Sequence, residues 1–192
     1  MRTTVREATL LLGLPGRDGR CAVGAGGHDK HTPEDGPVPR IDLITDVPAS
    51  PEDCFELSLS VDAHQSSMAD SGERAVAGVT SGVMHLGDTV TWRARHLGVP
   101  VRMTSVISAH DAPHRFVDEQ TSGPFRRWWH EHRFEAVPGG TRMTDVVEFE
   151  SPAGPIGRAV NAVFLTRYMT TLLRQRNAWL VEALTGPGAS GP

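Results

Sequence analysis

The chain has 192 residues, 39% hydrophobic and 22% charged, with a formal net charge of −4. That length suits one domain with a substantial core and is short for two of ordinary size. Lys and Arg are scattered, without the basic stripe that neutralises a phosphate backbone, so nucleic acid is not an expected partner. Cys21 and Cys54 make neither a disulfide framework nor a thiolate zinc site; a reducing cytoplasm suits them best. No run has the length of a membrane span.

In chain order, Ala8–Leu14 after Arg2 and Arg6 faintly imitates a signal peptide but lacks a small-residue cleavage site; a frayed helix over Thr3–Leu12 is the other use of that stretch. From Gly13 to Pro39 the composition turns to Gly, Pro, Asp and His, too polar to offset the entropy of ordering, so residues 1–39 read as a disordered extension. Gly24-Ala25-Gly26-Gly27 has neither the preceding strand nor the spacing of a phosphate loop. Order is expected from Ile41, where Ile41, Leu43, Thr45 and Val47 alternate with polar residues as in a half-buried strand. Ser50-Pro51-Glu52-Asp53 then supplies a cap, a first-turn proline and acids, starting a short helix that carries Phe55 and Leu59 inward.

After the breaker Ala69–Gly72, strands are predicted over Arg74–Met84, Thr89–Leu97, Val101–Ala109, Arg115–Thr121, Phe125–Ala136 and Arg142–Glu150. The breaks fall at Gly87-Asp88, Gly98-Val99-Pro100, Asp111-Ala112-Pro113, Gly123-Pro124 and Pro138-Gly139-Gly140. Connections this short join antiparallel neighbours, which makes a meander. From Gly154-Pro155, apolar residues recur three and four apart from Ile156 through Val160, Phe164, Tyr168, Leu172, Leu180 and Leu184, one amphipathic helix of roughly 45 Å. It stops at Gly186-Pro187, leaving 186–192 as a flexible tail. The expected architecture is α+β: a curved antiparallel sheet around a long C-terminal helix, short helices after the first strand, and an interior cavity.

Period-two alternation sets the inner face. In the last strand Met143, Asp145, Val147 and Phe149 form the apolar set. Closing the preceding turn with Val137 opposite Gly140 places His132 across from Asp145, His130 across from Val147 and Trp128 across from Phe149. Trp92 is inward on its strand. For Arg115–Thr121 both faces stay open, Phe116-Asp118-Gln120 against Val117-Glu119-Thr121.

The strand, short-helix, six-strand meander and long-helix order resembles the helix-grip fold. The segments TWRARHLGVPVRMTSVI and RFVDEQTSGPFRRWWHEHRFEAVPGGTRMTDVVEFESPAGPIG are similar to bacterial polyketide cyclase/dehydrase-like proteins of the START-related SRPBCC superfamily, which includes the birch-pollen allergen and lipid-transfer domains. The resemblance spans Pro39 to Leu184. It implies a cavity for a lipid, polyketide or other hydrophobic molecule and no single reaction, since fold does not fix function.

Candidate ligand contacts are Trp92, Met103, Asp118, Gln120, Arg126, Trp128, His130, His132, Phe134, Met143, Asp145 and Phe149. The leading expectation is binding of a small hydrophobic or aromatic molecule whose polar end is oriented by His130, His132 and Asp145. The alternative is a cofactor-free cyclase or dehydratase with His132 and Asp145 as an acid–base pair. Metal ligation is disfavoured, because residues two apart on a strand are about 7 Å apart and a His132–Asp145 hydrogen bond satisfies both groups. His64, with Ser66 and Ser67, reads as a loop residue near the cavity mouth. A third reading, an interaction domain, requires the long helix to expose its apolar stripe to a partner. A monomer or weak homodimer is expected.

Overall fold

The computed structural model describes residues 6–7, 38–151 and 155–186; side chains are described outside 6–7 and 155–162. The Gly24–Gly27 stretch, most of the Thr3–Leu12 segment and the tail beyond Gly186 lie outside these residues. Arg6–Glu7, within the segment for which a frayed helix was one reading, is instead a two-residue strand, β1, paired with Leu43 and Ile44.

Strand β2 (Arg40–Val47) buries Ile41, Leu43, Thr45 and Val47 on one face, as its alternation requires. Ser50 caps helix α1 (Pro51–Leu59) by accepting from the Asp53 amide at 3.1 Å. Phe55 and Leu59 are buried, and Ser60 caps a second helix, α2 (Val61–Ser67). The meander follows as β3 (Arg74–Gly78), β4 (Thr89–His96), β5 (Val99–Asp111), β6 (Arg115–Ser122), β7 (Arg127–Val137) and β8 (Gly140–Glu150). Helix α3 runs over Pro155–Thr185. The antiparallel sheet has the order β1-β2-β8-β7-β6-β5-β4-β3, so β2 closes against the last strand of the meander.

Several strand boundaries differ from the sequence expectation, and three of them have an evident cause. β3 ends at Gly78 rather than running to Met84: its φ is +73°, and a Cβ there would lie 2.1 Å from the Thr89 carbonyl oxygen. The chain beyond it turns back to the α1–α2 junction, where Gly82 donates to Asp62 at 2.8 Å and Met84 to the Leu59 carbonyl at 3.1 Å. The β4–β5 turn is Leu97-Gly98, both with positive φ, so Val99 and Pro100 belong to β5. β7 starts at Arg127 because the Gln120 side chain bonds both the amide and the carbonyl of Phe125 and holds that loop off the ladder.

The Val137–Gly140 turn closes as expected: His132 faces Asp145, His130 faces Val147 and Trp128 faces Phe149. The open face question for β6 resolves with Phe116 and Asp118 inward, paired with His132 and His130. The concave sheet face carries two apolar clusters. One gathers Val47, Phe55, Leu59, Phe116, Phe134, Met143 and Leu180; the other gathers Ile41, Leu43, Trp128, Val147, Phe149 and Leu173. Leu173 and Leu180 of α3 are buried in these clusters, one in each, each worth about 1.5–3 kcal/mol. The sheet therefore grips the helix here, and the apolar stripe that the interaction-domain reading needs is turned inside. Val163 and Phe164, nearer the start of α3, stay exposed.

Gly140→Ala is expected to destabilise strongly, by about 2–3 kcal/mol in a denaturant titration, because φ is +147° and its Cβ would meet the Val47 carbonyl oxygen at 2.1 Å. Ser50→Ala is expected to cost about 1 kcal/mol in the same measurement, through loss of the cap.

Candidate functional site

Between the concave face and α3 lies a cavity of about 430 Å³. Its apolar wall includes Val90, Trp92, Ile107, Trp128 and Leu173, with thioethers from Met68, Met84, Met103 and Met169. Strand alternation turns His130 and His132 toward this space, and pairing brings Asp118 from β6 and Asp145 from β8 beside them.

The two imidazoles lie face to face, centroids 3.8 Å apart and tilted by 40°, with His132 also stacked on Phe116 at 4.2 Å. A carboxylate stands at each end of the pair. On the buried side, His130 Nε2 donates to Asp145 Oδ1 at 3.1 Å, and His132 Nδ1 lies 2.8 Å from the same oxygen, off the line of its N–H. On the cavity side, Asp118 Oδ2 is 3.4 Å from both His130 Nδ1 and His132 Nε2.

Helix α3 completes the group. Asn177 Nδ2 donates to Asp145 Oδ2 at 2.6 Å and to Thr45 Oγ1 at 3.1 Å. Arg176 Nη2 donates to the Ser58 carbonyl at 3.2 Å, while Nη1 is buried 3.7 Å from Asp145 Oδ1 without a hydrogen bond. Burial works against the ionised carboxyl of Asp145, but the hydrogen bond from His130 and the close His132 ring outweigh it and hold that carboxyl well below the ordinary range. Asp118 is lowered likewise, burial being outweighed by His132 and His130. Burial, then the adjacent His132, pushes His130 below the usual imidazole value. Two ionised carboxylates thus bracket a histidine that favours its neutral form.

A second polar group lines the cavity at α2, β4 and α3. Glu73 Oε1 is 3.3 Å from His64 Nε2, the His64 ring lies 4.3 Å from that of Trp92, and His96 Nδ1 is 2.9 Å from the Tyr168 hydroxyl. Burial of Glu73 is overcome by His64, His96 and Arg176, which keep its carboxyl below the ordinary value.

Of the expected contacts, Trp92, Met103, Asp118, Trp128, His130 and His132 line the cavity. Asp145 lies beneath the histidines rather than on the wall. Phe134, Met143 and Phe149 are packed core, each almost fully buried in the apolar clusters. Gln120 commits its amide to the Phe125 backbone, and Arg126 is exposed outside the cavity. His64 is helical, not a loop residue. Sequence reasoning missed Glu73, His96, Arg176 and Asn177. The last two had a signal: they interrupt, at helical spacing, the stripe running from Leu173 to Leu180.

A curved sheet gripping a long helix around a cavity, with its polar groups on the wall, defines a helix-grip protein. Residues 40–185 match the family described as "Polyketide cyclase / dehydrase and lipid transport", and the chain belongs to it. No curated protein matches. Among solved structures, TTHA0849 from Thermus thermophilus is similar with a TM-score of 0.61 at 19% identity, covering 76% of this chain and 99% of that one. The Zhui aromatase/cyclase from Streptomyces sp. R1128 gives 0.60 at 13%, covering 79% and 98%. Ara h 8.0201 gives 0.54 at 15%, covering 76% and 99%. At these identities the likeness is one of fold. No described helix is long and apolar enough to cross a membrane.

Asp145→Asn is expected to cost about 3–5 kcal/mol at neutral pH, read by urea unfolding, because it breaks a buried charge network. Glu73 predicts an acid-sensitive increment. Its folded pKa is depressed, so its contribution is full above the unfolded value of roughly 4.3 and is lost as pH falls through the lower folded value. Comparing Glu73→Gln with the parent from pH 7 to pH 3, the stability gap is expected to narrow as the pH falls.

Proposed function

We propose that the protein binds a small hydrophobic or aromatic molecule carrying one hydrogen-bonding end. The observation that carries this reading is the cavity itself: about 430 Å³, within the range of small-molecule sites, apolar over most of its wall, with Asp118, His130, His132 and Arg176 meeting at one place. The apolar body lies against Trp92, Trp128 and the methionines, and the polar end meets the histidine–carboxylate group.

Native mass spectrometry followed by solvent extraction is expected to yield a co-purifying apolar small molecule. Met103→Trp, which fills the wall, is expected to lower its retention at least about tenfold while leaving the melting temperature within a few degrees. Full retention by that variant would count against the cavity as the site.

A second reading, a cyclase or dehydratase, is favoured by the 2.8 Å contact of Asp145 with His132, which places a carboxylate behind a ring whose far nitrogen faces the cavity. There His132 takes a proton from the carbon between two carbonyls of a polyketone. Conversion of a screened polyketone is then expected to fall by about 100-fold or more in His132→Ala. Unchanged turnover in that variant removes this reading.

A further inference from the structure

The cavity end of the histidine pair presents a conflict of like groups. Asp145 is ionised and only accepts, so the His130 proton is drawn to Nε2 and its Nδ1 carries a lone pair. That lone pair points into the space shared with Asp118 Oδ2, itself an ionised acceptor, at 3.4 Å. His132 Nε2 stands at the same distance from the same oxygen, and its Nδ1 lies 2.8 Å from Asp145. A neutral His132 has one N–H and can donate to Asp118 or to Asp145 but not to both, so one acceptor pair remains in either tautomer beside that of His130 Nδ1 and Asp118, and a cation at the cavity end relieves it.

We propose that Asp118, His130 and His132 form a site for a zinc-type divalent cation that opens into the cavity. The spacing fits: bonds of 2.0–2.1 Å in a tetrahedron put neighbouring ligand atoms about 3.3 Å apart, close to both Asp118–histidine distances. The three ligand atoms all lie within 4.8 Å of one another. The 7 Å strand spacing that argued against a metal applies to Cα atoms, whereas these rings lean together to 3.8 Å. Asp145 does what a carboxylate behind metal-bound histidines does: it fixes ring orientation and tautomer. Three protein ligands leave a fourth position toward the cavity, where the oxygen of a ligand's polar end can coordinate. Metal on His132 Nε2 leaves no free base there, so this assignment and the acid–base reading exclude each other.

The test uses the metal alone, with no organic ligand added, so its outcome is independent of whether a small molecule is found. Full-length protein stripped with chelator is titrated with cobalt(II). One equivalent per chain, with the intense visible bands of a tetrahedral site and displacement by zinc, is expected. Asp118→Asn and His130→Asn are each expected to weaken zinc by on the order of 100-fold. His85→Asn, and the triple variant Cys21→Ser, His28→Asn, His31→Asn, are expected to bind as the parent does. No tight cobalt binding, or loss of binding in the triple variant with retention in Asp118→Asn, overturns the proposal. If the site variants fail to fold by circular dichroism, zinc-edge anomalous scattering from parent crystals grown with zinc decides. A peak between the three side chains supports the site, and no peak there overturns it.

Discussion

The buried carboxylate of Asp145 is the constraint on which the rest of the interior depends. An ionised group taken fully out of water costs several kcal/mol unless its oxygens are matched, so its neighbours are not free to vary independently. They come from three directions: histidines from β7, Thr45 on β2 through Asn177, and Arg176 and Asn177 from α3. The result is a polar layer between the two apolar clusters. It can be followed along each element: Val47, Thr45, Leu43 on β2; Phe134, His132, His130, Trp128 on β7; Met143, Asp145, Val147 on β8; Leu180, Asn177, Leu173 on α3. A slip of one residue in any of these would put a charge against an apolar cluster, so the layer fixes both the strand register and the axial position of the helix.

Much of this was legible because it rests on local rules. Alternation and the Val137–Gly140 turn suffice to pair His132 with Asp145, and the Ser-Pro-Glu-Asp start announces α1. The short reach of β3 was hidden because Arg74–Met84 has strand-like residues, and only the close approach of Gly78 to Thr89 ends the ladder. The site was half visible. His132 with Asp145 follows from the meander and its turn, whereas Asp118 stayed open because both faces of Arg115–Thr121 mix polar and apolar residues. Arg176, Asn177 and Glu73 depend on how α3 and the segment after α2 dock on the sheet, which no local pattern encodes. Gln120 and Phe149 show the opposite error: sharing the inner face does not put a side chain on the cavity wall when a loop or the core claims it first.

The cavity has two polar stations. The histidine–carboxylate layer forms one, and Glu73, His64, His96 and Tyr168 form the other. Arg176 couples them electrostatically, lowering both Glu73 and Asp118. Trp92 lies against His64 at the second of these stations, ring centroids 4.3 Å apart.

The methionines on the remaining wall give the cavity an uneven stiffness. Around Asp145 every rotamer is held by a hydrogen bond, whereas Met68, Met84, Met103 and Met169 are unbranched chains with three torsions and no directional partner. Under the binding function proposed above, selectivity divides accordingly: a guest's polar terminus is judged strictly, its hydrocarbon part leniently, and homologues differing by a few methylenes are accommodated by re-posed thioethers rather than by movement of the sheet.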